Sequence, residues 1–217
     1  MKSYQGTKTS KDIITPEKKT DISLSSVKLI RTWAFWESYI NKSNNLDYDK
    51  SNKFIFKWDD LITFFQFWNS YPGNNIKNIF FDGSQVKYFF QDKNRINSMN
   101  IFEDGIKPMW EDEKNKGGKY FQCDYQIQID RLDKFIELAN YHWKKLILET
   151  MGGIIPHSDS INGLRFVDKT DFKRGKKILF RIEIWIRKDL EESNRNELKE
   201  YLKKNLECES INVKDII

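Results

Sequence analysis

Hydrophobic and polar positions divide this chain into a polar start and a long patterned remainder. Residues 1–24 are rich in Ser, Thr, Lys and Asp and almost free of large apolar side chains. Such a segment buries too little surface to offset its ordering entropy, which predicts a disordered tail. Patterning begins near Val27 and enters a strand over Thr32-Trp33-Ala34-Phe35-Trp36, then a second over Lys53-Phe54-Ile55-Phe56, both aromatic-rich as sheets favour. Asp59 or Asp60 is placed to cap a helix over Leu61 to Asn69, which Tyr71-Pro72-Gly73 ends. From 74 to 100 the apolar runs Ile79-Phe80-Phe81 and Tyr88-Phe89-Phe90 sit inside polar sequence, and the pattern reads as an insertion of short strands or helical turns.

Tyr120 to Ile129 alternates as a strand does. Asp130 is placed to cap a long helix whose stripe holds Leu132, Phe135, Ile136, Ala139, Trp143, Leu146 and Ile147, stopped by Gly152-Gly153. Two strands, Arg165-Phe166-Val167 and Ile178 to Ile186, flank the basic turn Asp171 to Lys177. Ser193 is placed to cap a last helix through Leu198, Tyr201, Leu202 and Leu206, with a short strand over Ile211 to Val213. Strands and helices occur without βαβ alternation, so the class is α+β: an antiparallel sheet with helices on one face, in a single domain over 25–217.

Composition changes this picture little. The 217 residues suit one domain with a real core, and a 15% aromatic share supplies either core or stacking surface. A net charge of +5 is too mild to argue for nucleic acid by itself. Cys123 and Cys208 lack any Cys-x-x-Cys spacing and read as reduced thiols. No apolar run is long enough to cross a membrane, and the N-terminus lacks the apolar stretch of a secretory signal. The expected location is cytoplasmic, with the nucleus also open.

The chemistry concentrates between Phe102 and Tyr120, where Trp110 stands directly before Glu111, with lysines and Gly117-Gly118 downstream. An aromatic plate beside an acceptor-only carboxylate suits a planar cation that presents N–H donors, and guanine methylated at N7 is one. The run Trp-Glu-Asp-Glu-Lys-Asn-Lys, followed by Gly-Gly and a base, closely resembles the eukaryotic translation initiation factor 4E family, proteins that bind the mRNA 5′ cap. The likeness extends over roughly Leu29 to Val213 with insertions.

The resemblance implies a curved antiparallel sheet with about three helices on its convex face and a cap pocket on its concave face. It implies that Trp110 and a second aromatic sandwich the methylated base. Counting ten residues back from Trp58-Asp59 gives Tyr48 for that second plate, with Trp58 and Phe54 as alternatives. Glu111 would accept from the guanine edge, Trp185 would line the N7-methyl pocket, and Lys119 and Arg181 would meet the cap phosphates. Lys169, Lys173 and Lys176 compete for a third phosphate contact.

The same likeness places a docking face for a scaffold or repressor helix of the Tyr-x4-Leu-apolar kind on the convex side. Phe64 and an exposed Trp68 would come from the first helix, and Leu148, Met151 and Gly152 from the long one. Lys144 and Lys145 stand where the family has a Leu and a Glu, so partner choice is open to change, and a cap-binding paralogue that represses or stores mRNA is the alternative to an initiation factor. His142 falls in a helix and His157 in a loop beside Ser158 and Asp159, but triad members converge from separate elements; His and Cys lack ligand spacing, and Glu111-Asp112-Glu113 lacks a second acidic motif. The expectation is therefore a monomer that is no enzyme and needs no metal or cofactor.

Overall fold

The computed structural model describes residues 27–40, 51–82, 85–87, 95–127, 131–170, 178–207 and 211–216. Strands β1 (Lys28–Ile40) and β2 (Asn52–Asp60) lead into helix α1 (Leu61–Ser70), then α2 (Ile76–Phe80) and a small hairpin of β3 (Phe81–Asp82) and β4 (Gln85–Val86). There follow β5 (Arg95–Glu103), β6 (Lys119–Ile127), α3 (Leu132–Met151), β7 (Ile161–Asp168), β8 (Ile178–Ile186), α4 (Glu192–Leu206) and β9 (Ile211–Asp215). Seven strands form one curved antiparallel sheet in the order β2-β1-β5-β7-β8-β6-β9.

Strand alternation sorts the two faces. In β8, Phe180, Ile182 and Ile184 point to the main core, where Phe166, Phe121, Phe64, Trp143, Ile147, Leu198 and Leu202 join them from the other strands and from α1, α3 and α4. The helices therefore share one face of the sheet. Each large apolar side chain fully buried there contributes about 1.5–3 kcal/mol. Helix α1 starts at Asp60, whose carboxylate accepts from the Thr63 N–H at 2.8 Å and from its hydroxyl at 2.8 Å.

Two sequence expectations change. The insertion around 74–100 does not run to 100: β5 starts at Arg95 and is a central strand between β1 and β7. Its pattern is hard to read because Ser98 and Asn100 are buried as well as Met99 and Ile101. Within the same stretch α2 sends Ile76 and Phe80 into the core, with Phe80 against Phe166 and Phe180. The last helix begins before Ser193, with Glu191 at the cap position and no side-chain cap. Asp130, Cys208 and the 1–24 tail lie outside the described residues.

The face away from the helices carries a polar layer. Asn100 donates to Ser38 Oγ at 2.9 Å, and Ser38 donates to Asn52 Oδ1 at 2.5 Å. Arg165 donates through Nε to Asn100 Oδ1 at 2.9 Å and through Nη1 to Glu183 Oε2 at 3.1 Å. The chain of bonds thus crosses β2, β1, β5, β7 and β8. Buried pairs of this kind add little net stability, because desolvation offsets attraction, but breaking one partner is costly.

Candidate functional site: a tryptophan–glutamate loop at the sheet's end

Residues 104–118 join β5 to β6 and carry Trp110 and Glu111. Trp110 is 49% exposed and Glu111 is exposed, while the neighbours that hold them are buried. The holding residue is Asn115, which is completely buried. Its side-chain N–H groups donate to the carbonyls of Lys107 at 2.8 Å and Met109 at 2.9 Å, and its oxygen accepts from Asn162 Nδ2 at 3.0 Å. Asn162 also donates to the Lys114 carbonyl at 2.8 Å and accepts from Arg187 Nε at 3.2 Å. Asp112 accepts from the backbone N–H of Lys107 at 2.8 Å and of Lys114 at 3.0 Å, so of the acidic trio it is a turn-former.

The glycine pair reads in sequence as a flexible element, but here it is a geometric requirement. Gly117 has φ +73, which favours glycine, and a Cβ on Gly118 would collide with the carbonyls of Ile186 and Asn115. Gly117 N–H donates to the Ile216 carbonyl at 3.2 Å, and Ile216 N–H donates back to Gly118 at 2.9 Å.

Beneath the loop, Trp185 is fully buried among Phe102, Ile106, Tyr120 and Ile216. It meets Phe102 edge-on at 5.6 Å, stacks on Tyr120 at 5.9 Å, and donates its indole N–H to Glu183 at 3.1 Å. The ligand-lining wall expected of Trp185 is therefore a core side chain under the site, enclosed because small Gly163 lets Phe102 close over it. Burial raises the Tyr120 phenol above its ordinary value, with the Glu183 charge the next cause.

The cations divide between two faces. Arg181 alternates in phase with Glu183 and Trp185 and grips Asp124 with two bonds of 2.6 and 3.1 Å. Lys169 follows β7, and its ammonium is held below the ordinary lysine range by desolvation, among the charges of Glu183, Arg165, Arg181 and Asp124. Lys119 instead stands in phase with Phe121 and Cys123, and pairs with Asp215 on β9. The structure thus gathers Arg181 and Lys169 but sets Lys119 apart from them. Tyr48, Lys173 and Lys176 lie outside the described residues. Of the alternative plates, Trp58 is 2% exposed and sits in the core, whereas Phe54 is 46% exposed and edge-on to Trp36 at 5.4 Å.

The docking face is also corrected. Phe64 and Trp68 are 0% and 2% exposed, because α1 turns that ridge inward, with Phe64 stacked on Trp68 and tilted against Trp58. Met151 is buried too, and Trp58 donates its indole N–H to the Met151 sulfur at 3.1 Å. Leu148 is half-buried, while Lys144 and Gly152 are exposed. Lys145 pairs with Glu149 at 2.9 Å and donates to Asn205 at 2.6 Å. Ile30 and Ile154 are exposed apolar side chains close to the 152–153 glycine pair, where a Cβ added to either glycine would meet one of them.

The match to known proteins agrees with this arrangement. A model of the eukaryotic initiation factor 4E family matches residues 28–214, nearly the whole described region. The chain belongs to that family. Among its relatives, the initiation factor 4E of Candida albicans is 31% identical over 110 residues, covering 50% of this chain and 46% of that protein. The Dictyostelium discoideum initiation factor 4E is 25% identical over 186 residues, covering 82% of this chain and 59% of the relative. The matches thus span about half the length of these curated relatives.

Two solved structures share the family's fold. Ascaris suum eIF4E-3 with an m2,2,7G cap has a TM-score of 0.61 at 21% identity, covering 87% of this chain and 90% of that one. Caenorhabditis elegans eIF4E-3 with the 4E-binding protein Mextli has a TM-score of 0.63 at 19% identity, covering 87% and 92%. Asn115, which holds this loop through its side-chain bonds, carries no mark in the sequence. Flanked by Lys114 and Lys116, it is indistinguishable in sequence from a solvated loop residue.

Among the described residues no cluster of three or more His, Cys, Asp or Glu side chains is placed to hold a metal ion. No described helix is long and apolar enough to cross a membrane.

Proposed function

We propose that the protein binds the 7-methylguanosine 5′ cap of mRNA, without catalysis, and presents it to a scaffold factor that begins translation. The observation that carries this reading is the pairing of a half-exposed Trp110 with an exposed Glu111 on a loop fixed by Asn115. Trp110 supplies a π-face for the cationic ring, and stacking of a base on such a face is worth about 1–3 kcal/mol. Glu111 accepts from the N1–H and N2–H of guanine, an edge that adenine does not offer. Arg181 and Lys169 are the described cations that would meet the phosphate chain, and Tyr48 is the second plate that the family resemblance assigns.

Relatives support the partners named here: an Ascaris suum family member has been solved with an m7G cap, and a Caenorhabditis elegans member with Mextli. Titration with 7-methylguanosine triphosphate should quench Trp fluorescence saturably, with GTP far weaker. Equal quenching by the two ligands sinks the cap assignment.

Burial of Trp68 favours a second reading for the partner step alone. A cap-binding paralogue that stores or represses mRNA needs no exposed Trp68 for a scaffold helix. Pull-down with a Tyr-x4-Leu-apolar peptide separates the two: retention supports the initiation role, and its loss, with cap binding intact, supports the repressor.

A further inference from the structure

On the face away from the helices, Arg165 and Arg181 are already paired with acids. Arg181 and Asp124 are cross-strand partners on β8 and β6, joined by bonds of 2.6 and 3.1 Å, with Asp124 also accepting from Gln122 Nε2 at 2.7 Å. Two positions along β8 from Arg181, Glu183 is buried at 3% exposure. It lies 3.1 Å from Arg165 Nη1, 3.1 Å from the Trp185 indole nitrogen and 4.0 Å from Arg181 Nη1. Arg165, Arg181 and Lys169 thus face Glu183 and Asp124, so these five described side chains together carry one net positive charge.

A site built to draw in a highly charged phosphate chain leaves its cations unpaired, so that each newly bound phosphate meets full charge. Here a phosphate near Arg181 must share a guanidinium with Asp124 and tolerate that carboxylate within a few ångströms. Both effects lower the gain from every added phosphate. Resting on the cap-binding reading above, we propose that Asp124 and Glu183 are specificity-determining acids that hold down the contribution of the phosphates, so that the protein selects its ligand chiefly by the methylated base.

The test is a fluorescence titration of the full chain with the mono-, di- and triphosphates of 7-methylguanosine and of guanosine, at several salt concentrations, for wild type, Asp124→Asn and Glu183→Gln. In the wild type the triphosphate should bind less than about fivefold more tightly than the monophosphate. Asp124→Asn frees Arg181 to neutralise one phosphate charge. It should widen that ratio threefold or more and make the affinity for the triphosphate fall more steeply with salt. A merely structural role for Asp124 would weaken all three ligands alike and leave the salt slope unmoved, and that result overturns the proposal. Glu183→Gln should widen the ratio in the same direction while keeping a neutral acceptor for Arg165 and Trp185. Asp124 is on the surface, so its variant decides the matter even where Glu183→Gln does not fold. A wild type that fails to distinguish methylated from unmethylated nucleotides overturns the cap-binding reading and this proposal with it. Methyl discrimination with an unchanged phosphate ratio in Asp124→Asn overturns the proposal alone.

Discussion

Replacing Asn115 with alanine is expected to loosen the Trp110–Glu111 loop while leaving the sheet folded. The side chain makes two donated bonds, to the carbonyls of Lys107 (2.8 Å) and Met109 (2.9 Å), and accepts one from Asn162 (3.0 Å). Each such bond contributes about 0.5–1.5 kcal/mol net, and a buried partner left unmet costs about 1–3 kcal/mol. The Lys107 carbonyl is near enough to the surface to regain water, whereas the Met109 carbonyl and the Asn162 amide are not, so the loss should total about 2–4 kcal/mol. Spread over a cooperative unfolding transition, that lowers the melting temperature by roughly 4–16 °C for a chain of this size.

Hydrogen exchange locates the effect. The Lys116 and Gly118 amides, bonded to Asp112 and Asn115, should exchange faster through local opening of the loop, while the centre of β8 should lose protection by no more than the drop in global stability. Asn115→Asp is the sharper variant. It keeps the shape but turns an acceptor toward two carbonyls, and should be worse than alanine by about 1 kcal/mol or more. If Asn115→Asp matches wild type in exchange and melting, the loop is not held by this side chain and the reasoning fails.

Glu111→Ala should reduce affinity for 7-methylguanosine nucleotides at least tenfold and erase the preference for guanine over adenine, read by parallel fluorescence titrations, since a charge-assisted contact contributes about 1.5–3 kcal/mol. Gly163→Ala would set a Cβ 2.5 Å from Phe102 Cδ1, against a ring that Trp185 backs, and should destabilise by about 1–3 kcal/mol in urea unfolding, with Phe102→Leu in the same chain recovering part of it. Burial holds the His142 imidazole below its ordinary value of 6.5, so the folded state takes up that proton less readily than the unfolded. The stability it contributes is complete above about pH 6.5 and declines as pH falls from there toward the folded value. His142→Gln should flatten the slope of stability against pH in that window; an unchanged slope removes His142 as its source.

The elements legible in sequence were those with one uninterrupted apolar face. β8 alternates Phe180, Ile182 and Ile184 against Arg181 and Glu183, and α3 keeps a continuous stripe from Leu132 to Ile147. β5 was obscured because both its faces are buried and one is polar, so its Ser98 and Asn100 imitate a loop. Trp110 and Glu111 were legible as a pair because their chemistry is local, adjacent in the chain and exposed in the fold. Trp68 and Trp185 are more buried than their expected roles called for, and for a shared reason. Whether a large ring faces solvent depends on how its element is tilted against neighbours, Phe64 and Trp58 in one case, Phe102 and Tyr120 in the other. Lys119 was not separable from Arg181 in sequence because strand phase decides its face: it pairs with Ile186 rather than with Trp185, and stands beside Asp215.

The backbone bonds between the Gly117-Gly118 pair and Ile216 carry a consequence for the order of synthesis. The tryptophan–glutamate loop leaves the ribosome long before the segment that clasps it, and strand β9 reaches β6 only after α3, β7, β8 and α4 have been made. With roughly a hundred residues between the two partners and translation at about 5–20 residues per second, the loop waits on the order of 5–20 s for its clasp. A nascent chain of this protein therefore carries the Trp110–Glu111 loop without its clasp until β9 has been made and has reached β6.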